Sequence, residues 1–154
     1  MKTFLSKTYA NALRDLTALG GFSLTILLPL LILSGNPIRL IVFVYIGLLI
    51  LEIIVSVIKF LFFKNRPIPE AYDDVVDKVF CSSSFPSSHV ARSTFLFYAF
   101  FHIYDENIIL LLPIVLVMLT RYLLSKHYIL DIIAGFIISL IFSLIYWNII
   151  FNYL

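Results

Sequence analysis

The chain has 154 residues, of which 62% are hydrophobic and 13% are charged, and its mean hydropathy is +1.05. Soluble domains average about 45–50% apolar and about 25% charged residues, so these values disfavour a water-soluble globular domain and a disordered chain. The net charge of +2 comes from short clusters of charges, which predicts no nucleic-acid partner. The single cysteine excludes an intrachain disulfide.

The N-terminal stretch, up to the glycines at 20 and 21, has apolar residues at helical spacing, namely Leu5, Tyr9, Leu13 and Leu16. It lacks the compact basic-then-apolar pattern of a secretory signal. The spacing predicts an amphipathic helix that lies at the membrane interface.

Five apolar segments follow, and none alternates with the period of two that a lipid-facing β-strand shows. A membrane-crossing helix needs about 20 mostly apolar residues, which leaves room for about six crossings at most. The sequence therefore predicts an all-α fold, a polytopic membrane helix bundle of about five transmembrane helices, or six, in a single domain over 1–154. Near the end of the chain, Tyr146, Trp147 and Tyr153 are typical of an interfacial aromatic belt. The segments cover about 17–34, 38–63, 88–104, 108–124 and 128–151.

The longest polar stretch connects the second and third segments, from about 64 to 87. An even number of crossings separates it from the short connection before the fifth segment. The two connections are therefore expected on the same side of the membrane, where they can share chemistry. Asp73, Asp74 and Asp77 in the long connection lack the spacing of a complete cation site, and a solvated face is predicted for them.

Two cations stand near the end of the second segment, Lys59 and Arg66. Seven residues are about two helical turns, so both side chains are expected on one helix face, and Pro67 is expected to end the helix. Arginine offers a bidentate fork and lysine a point charge, so the pair suits an anion such as phosphate. Snorkelling of Lys59 to the interface is the alternative explanation.

The third segment opens with Ser87, Ser88 and His89 after a Phe-Pro pair. A serine at a helix start ordinarily caps the helix. The free N–H groups of a helix N-terminus also bind anions, and a histidine in the first turn can carry a proton.

A third cluster contains Arg121, His127 and Asp131. Histidine and aspartate four residues apart meet on one helix face, so the carboxylate is expected to accept a hydrogen bond from one imidazole nitrogen. The other nitrogen would then be left as a nucleophile or base. A buried, satisfied His–Asp pair without chemistry is the alternative. Together the three clusters contain what phosphoryl transfer needs: a cationic cradle, a nucleophile and a proton donor.

The three clusters resemble the signature of the type 2 phosphatidic acid phosphatase superfamily of membrane lipid phosphatases. The first motif, Lys, six residues, Arg-Pro, is met from Lys59 to Pro67. The second, Pro-Ser-Gly-His, is met from Pro86 to His89, with Ser88 where glycine is usual. The third, Ser-Arg, five residues, His, three residues, Asp, is met from Thr120 to Asp131, with threonine for serine. The motif-bearing core spans 59–131, about half of the chain.

The resemblance implies a covalent phosphohistidine mechanism. In it, His127 is the nucleophile, Asp131 is its orienting partner, and His89 is the general acid. The implied phosphate ligands are Lys59, Arg66, Ser87, Ser88 and Arg121. The family needs no metal for catalysis, and no cofactor is expected.

The leading hypothesis is an integral-membrane lipid phosphatase. It would hydrolyse a lipid phosphomonoester or the terminal phosphate of a lipid diphosphate, such as undecaprenyl or another polyprenyl diphosphate. By analogy, it would be a multi-pass cell-membrane protein with its site on the non-cytoplasmic face. A lipid phosphotransferase and a non-catalytic protein that binds phospholipid headgroups are the alternatives. The sequence leaves open the lipid, the oligomeric state and the role of Glu52 in the second segment.

Overall fold

The computed structural model of the chain describes residues 2–68, 83–105 and 107–151. All regular structure in these ranges is helical, as the all-α prediction requires. Asp73, Asp74 and Asp77, expected to form a solvated face, lie outside the described residues. The helices are α1 (Lys2–Thr17), α2 (Phe22–Ile32), α3 (Ile38–Leu61), α4 (Ser88–Ile103), α5 (Leu112–Leu123) and α6 (Ile129–Phe151), with short 3₁₀ turns at Ala18–Gly20 and Ile108–Leu111.

The central helix of the bundle is α4, whose residues 90–97 are all buried. It packs most extensively on α6 and also contacts α3 and α5. The ring of Phe95 lies 5.6 Å from that of Phe142 and 5.7 Å from that of Tyr146. The predicted aromatic belt is wrong for Trp147 and Tyr146, because Trp147 is only 3% exposed and the Tyr146 hydroxyl donates to the carbonyl of Phe43 inside the bundle. Tyr153, the third residue of that prediction, lies outside the described residues.

Two helices of the described part, α3 and α6, are long and apolar enough to cross a membrane. The pair α1 and α2 makes a third span if it is counted as one element, although it bends by 63° around Gly20 and Gly21. With 16 and 12 residues, α4 and α5 are shorter than the roughly 20 residues that a full crossing needs. The expected count of five or six crossings is therefore not confirmed.

The expected N-terminal helix is present as α1, and it packs against α5. Leu13 is buried, whereas Tyr9 is 59% exposed, so α1 turns only part of its surface to the protein. The remaining apolar exposure fits an element at a membrane boundary.

Two glycines allow neighbouring backbone to approach the N-terminus of α4. A Cβ atom on Gly20 would lie 2.3 Å from the carbonyl oxygen of His89, and one on Gly135 would lie 2.6 Å from that of Ser87. No larger residue fits at these distances without moving the backbone. The start of α4, which carries Ser87 and His89, is thus held between the turn after α1 and helix α6.

Candidate active site

The connections after α3 and after α5 meet at one end of the bundle. The backbone N–H of Ser84 donates to the carbonyl of Lys64 at 2.7 Å. The carbonyl of Ser84 in turn lies 2.7 Å from Nδ1 of His127. Residues far apart in sequence therefore form one contiguous polar region.

A cavity of about 320 Å³ opens at this region. Five of the eight predicted site residues line it: Lys59, Arg66, Ser88, His89 and His127. The other three, Ser87, Arg121 and Asp131, are buried beside it, with exposures of 0%, 5% and 0%. The three sequence clusters thus assemble around one cavity.

Lys59 and Arg66 reach the cavity by a different route from the one expected. Helix α3 ends at Leu61, so Arg66 does not share a helix face with Lys59. The helix ends early because the following segment pairs with the chain before α4: the Lys64 carbonyl accepts from the Ser84 N–H, and the Lys64 N–H donates to Ser83 Oγ at 3.3 Å. The ammonium of Lys59 donates to the carbonyl of Ser83 at 2.9 Å.

The contacts of His127 fix its tautomer. A guanidinium can only donate, so the contact of 3.1 Å between Arg121 Nη2 and His127 Nε2 requires a lone pair on Nε2. A carbonyl can only accept, so Nδ1 carries the proton that is donated to Ser84. His127 is therefore a neutral imidazole whose Nε2 has nucleophilic character.

Burial and the neighbouring charge of Arg121 lower the pKa of His127 from 6.5 to about 3. Arg66 and Lys59 act in the same direction, while the hydrogen bond to Ser84 opposes them. The imidazole consequently stays neutral at physiological pH, the form that a nucleophile needs.

The expected hydrogen bond between His127 and Asp131 is not formed. An i,i+4 contact requires both residues in one helix, whereas α6 begins at Ile129 and leaves His127 outside it. Asp131 instead reaches back to the N–H of Tyr128 at 3.0 Å, as the third residue of a helix does in a capping box. Its carboxylate also accepts from Lys64 Nζ at 2.6 Å and from Ser84 Oγ.

Asp131 is nevertheless connected to His127 through Ser84. The hydroxyl of Ser84 donates to the carboxylate, and the carbonyl of the same residue accepts from the imidazole. The contact between Asp131 and His127 is therefore indirect, through the hydroxyl and the carbonyl of Ser84. The half-exposed Lys64 completes this chain of contacts and lies 4.4 Å from the centre of the Tyr128 ring.

The turn after α5 brings His127 back towards Arg121. Ser125 has a positive φ of 52°, the left-handed conformation that commonly ends a helix. The N–H of Lys126 then donates to the carbonyl of Arg121 at 3.2 Å. Two buried polar atoms in this region, Ser87 Oγ and Arg121 Nε, have no hydrogen-bond partner in the described structure. Both suit a further acceptor, such as a phosphate oxygen.

Sequence reasoning did not single out Lys64, Ser84 or Arg92, and it left open the role of Glu52, which pairs with Arg92 on the cavity wall. An available signal was Arg92 itself, a charged residue inside an apolar segment, because intramembrane charges usually have a function. No sequence pattern predicted the position of Ser84, because its contact with His127 is made by the backbone carbonyl.

A model of the PAP2 superfamily matches residues 40–154, a range that contains all three clusters. The chain belongs to the PAP2 superfamily. Among curated proteins, no sequence matches it. Family membership and the apolar helices make this PAP2 protein an integral-membrane hydrolase of the phosphatase class.

A solved structure resembles this PAP2 protein over most of its length. It is described as the crystal structure of the first transmembrane PAP2 type phosphatidylglycerolphosphate phosphatase from Bacillus subtilis. The TM-score is 0.67 at 19% sequence identity, and the match covers 94% of this chain and 77% of that chain. At this identity the likeness shows a shared fold.

Ser88 of this PAP2 protein stands where the family motif usually has glycine. It is the first residue of α4. Among the described non-glycine residues, positive φ occurs at Asp105 and Ser125 only. Serine is therefore accommodated at position 88 without backbone strain.

Proposed function

We propose that this PAP2 protein is a lipid phosphatase that works through a covalent phosphohistidine on Nε2 of His127. The observation that carries the proposal is the fixed tautomer of His127, with its Nε2 lone pair beside cationic side chains. His89 lines the same cavity and supplies the second titratable group that the reaction needs.

In the proposed reaction, Lys59, Arg66 and Arg121 bind the oxygens of the substrate phosphate, and Ser87 and Ser88 add hydrogen bonds. The guanidinium of Arg121 moves from Nε2 to a phosphate oxygen, which exposes the lone pair. His89 takes up a proton as the anionic phosphate binds beside it, because a nearby opposite charge favours the imidazolium. Nε2 attacks phosphorus, the bond to the leaving oxygen breaks, and His89 donates this proton to that oxygen. Water then attacks the phosphohistidine, phosphate leaves, and His127 returns to its neutral form.

Three observations support a lipid substrate. The cavity lies at the end of helices whose outward faces are apolar, so a bound phosphate is near the bilayer surface. Its cationic side chains match a phosphorylated headgroup. The similar solved structure is described as a phosphatidylglycerolphosphate phosphatase, whose named substrate is a lipid phosphomonoester. The substrate class that we propose comprises lipid phosphomonoesters and lipid diphosphates, including polyprenyl diphosphates.

Charge stabilisation is proposed to come from these side chains without a metal ion. Phosphate release is therefore expected to continue when EDTA is present throughout purification and assay. A loss of activity that Mg²⁺ restores would contradict this part of the mechanism.

The test of the mechanism is His127→Ala in detergent-purified protein. Phosphate release from lipid substrates should stop, while His102→Ala, which removes a histidine at the far end of α4, should retain it. With a ³²P-labelled substrate, wild type should form a labelled protein that is stable to base and labile to acid. Full activity of His127→Ala would overturn the proposal, and thermal unfolding checks that the variant stays folded. Adding acceptor lipids to the assay distinguishes hydrolysis from phosphate transfer.

We further propose that the site faces the non-cytoplasmic side of the cell membrane. Cys81 is the single cysteine of the chain and lies in the connection that also carries Ser84. A membrane-impermeant maleimide should label it in intact cells, and Cys81→Ser should remove the label. Labelling that requires permeabilised cells would place the site on the cytoplasmic side.

A further inference from the structure

Arg92 and Glu52 form a charged pair on the wall of the proposed catalytic cavity. Arg92 Nε lies 3.8 Å from Glu52 Oε2 and donates to the carbonyl of Ser88 at 3.3 Å. The Arg92 guanidinium carbon also lies 5.9 Å from the centre of the Phe22 ring, a cation–π distance. The Ser88 carbonyl and the Phe22 ring therefore position Arg92 beside the carboxylate of Glu52.

The mechanism proposed above uses neither residue of this pair. A charged pair among apolar helices is costly and usually has a function. Both side chains line the cavity that holds His89 and His127, and the buried Arg92 reaches it from α4. The Glu52 side chain keeps 36% of its surface exposed.

The position of Arg92 relative to the two histidines places the charged pair on the side of the cavity towards which the leaving group departs. In an in-line displacement the leaving oxygen departs away from His127 and towards the general acid, His89. Arg92 follows His89 by three residues on α4, one helical turn further along the same cavity wall. A leaving group that passes His89 consequently meets the guanidinium of Arg92 next.

Beyond the pair, the wall of the cavity becomes apolar. A pocket of about 240 Å³ shares Glu52 and Arg92 with this cavity and extends away from Lys59 past Leu49, Leu48 and Tyr45. The order of groups is therefore nucleophile, phosphate cradle, general acid, Arg92 with Glu52, and then an apolar surface that suits a lipid chain.

Resting on the proposed phosphatase function, we propose that Arg92, held by the Ser88 carbonyl and the Phe22 ring, is a second anion subsite that binds the inner phosphate of a lipid diphosphate in competition with Glu52. Nε2 of His127 attacks the terminal phosphorus, and the bond from that phosphorus to the bridging oxygen breaks. The electron pair stays on the bridging oxygen, and a lipid monophosphate leaves with the charge that Arg92 neutralises. A lipid monophosphate presents no inner phosphate to this subsite. The site therefore selects diphosphates.

The selectivity test compares lipid diphosphate and lipid monophosphate of the same chain. In Arg92→Met, the ratio of their kcat/KM values should fall about 10- to 100-fold, the loss expected for a hydrogen bond to a charged group. Arg39→Met is the matched control, because it removes an exposed arginine from the other end of α3 and should leave the ratio unchanged. An unchanged ratio in Arg92→Met would overturn the proposal.

Glu52→Gln provides a second variant, which keeps the shape of the side chain if Arg92→Met does not fold. Removing the competing carboxylate should raise the diphosphate-to-monophosphate ratio about three- to tenfold. A lower or equal ratio would contradict the role assigned to the pair.

Binding of non-hydrolysable analogues separates this inference from the proposed reaction. A lipid methylene-diphosphonate should bind wild-type protein in nanodiscs more tightly than the matching monophosphonate, and Arg92→Met should reduce that preference. If wild type hydrolyses neither substrate but keeps the preference, the phosphatase function fails while the subsite stands. If both analogues bind equally to wild type, the subsite is refuted whatever the activity.

Discussion

The contacts of Asp131 predict that its replacement by asparagine is far milder than the loss of a direct catalytic dyad partner. When an aspartate holds the histidine itself, asparagine reverses the tautomer and activity falls about 10⁴-fold, as measured in a serine protease. In this PAP2 protein the proton on Nδ1 of His127 is held by the backbone carbonyl of Ser84, which no side-chain replacement removes. The tautomer should therefore survive in Asp131→Asn.

The size of the remaining effect follows from the three contacts of the carboxylate. One amide oxygen can still accept from Ser84 Oγ and from the Tyr128 N–H, which share Oδ2. The contact that is lost is the one at Oδ1 with Lys64, whose side chain is 38% exposed and can turn to solvent. Hydrogen bonds to charged groups contribute about 1.5–3 kcal/mol. At about 1.4 kcal/mol per decade, kcat should fall roughly 10- to 100-fold.

The assay is phosphate release at saturating lipid in detergent micelles, with thermal unfolding and orthovanadate binding as folding controls. Ser84→Ala is the matched variant, since it removes the hydroxyl donor but keeps the carbonyl that holds His127. Because both changes act on one chain of contacts, the double variant should lose less than the product of the two single losses. If Asp131→Asn lost as much activity as His127→Ala while still binding vanadate, the indirect connection through Ser84 would be refuted.

Three further predictions concern the same region. His127 should remain neutral with its proton on Nδ1 from pH 5 to 8 in ¹⁵N NMR spectra, and a titration midpoint near 6.5 would contradict the burial described above. Folding lowers the pKa of His127, so the unfolded chain binds a proton at this residue before the folded protein does as the pH falls. The contribution of His127 to the free energy of unfolding should therefore be complete above about pH 6.5 and decline as the pH falls towards 3, which denaturant unfolding measures. Gly135→Ala should lower both the melting temperature and kcat, because the new Cβ would lie 2.6 Å from the Ser87 carbonyl, whereas Gly35→Ala, with open space around it, should change neither.

The helical segments could be predicted from the sequence because lipid and bundle packing both demand long apolar runs. The expected segment from 38 to 63 became Ile38–Leu61, and that from 128 to 151 became Ile129–Phe151. The number of crossings could not be predicted in this way. Composition does not distinguish a helix buried among other helices, such as α4, from one that faces lipid.

Residue types and their spacing also identified the members of the site. Charged and histidine side chains are so rare in this chain that three clusters stood out, and the structure gathers them around one cavity. The contacts within the site were beyond the sequence. An expected helical pair between His127 and Asp131 failed because the helix begins two residues after the histidine.

The sequence by itself determined that this protein is a helical membrane protein with the residues of a candidate phosphate site, because hydropathy and side-chain chemistry are local properties. Only the tertiary structure decided which atom holds His127, which groups Asp131 contacts, and where Arg92 lies. Those outcomes depend on backbone groups of Ser83 and Ser84 meeting α3 and the turn before α6 across long stretches of chain. A backbone carbonyl is present at every residue, so its role becomes visible only when the fold has placed it.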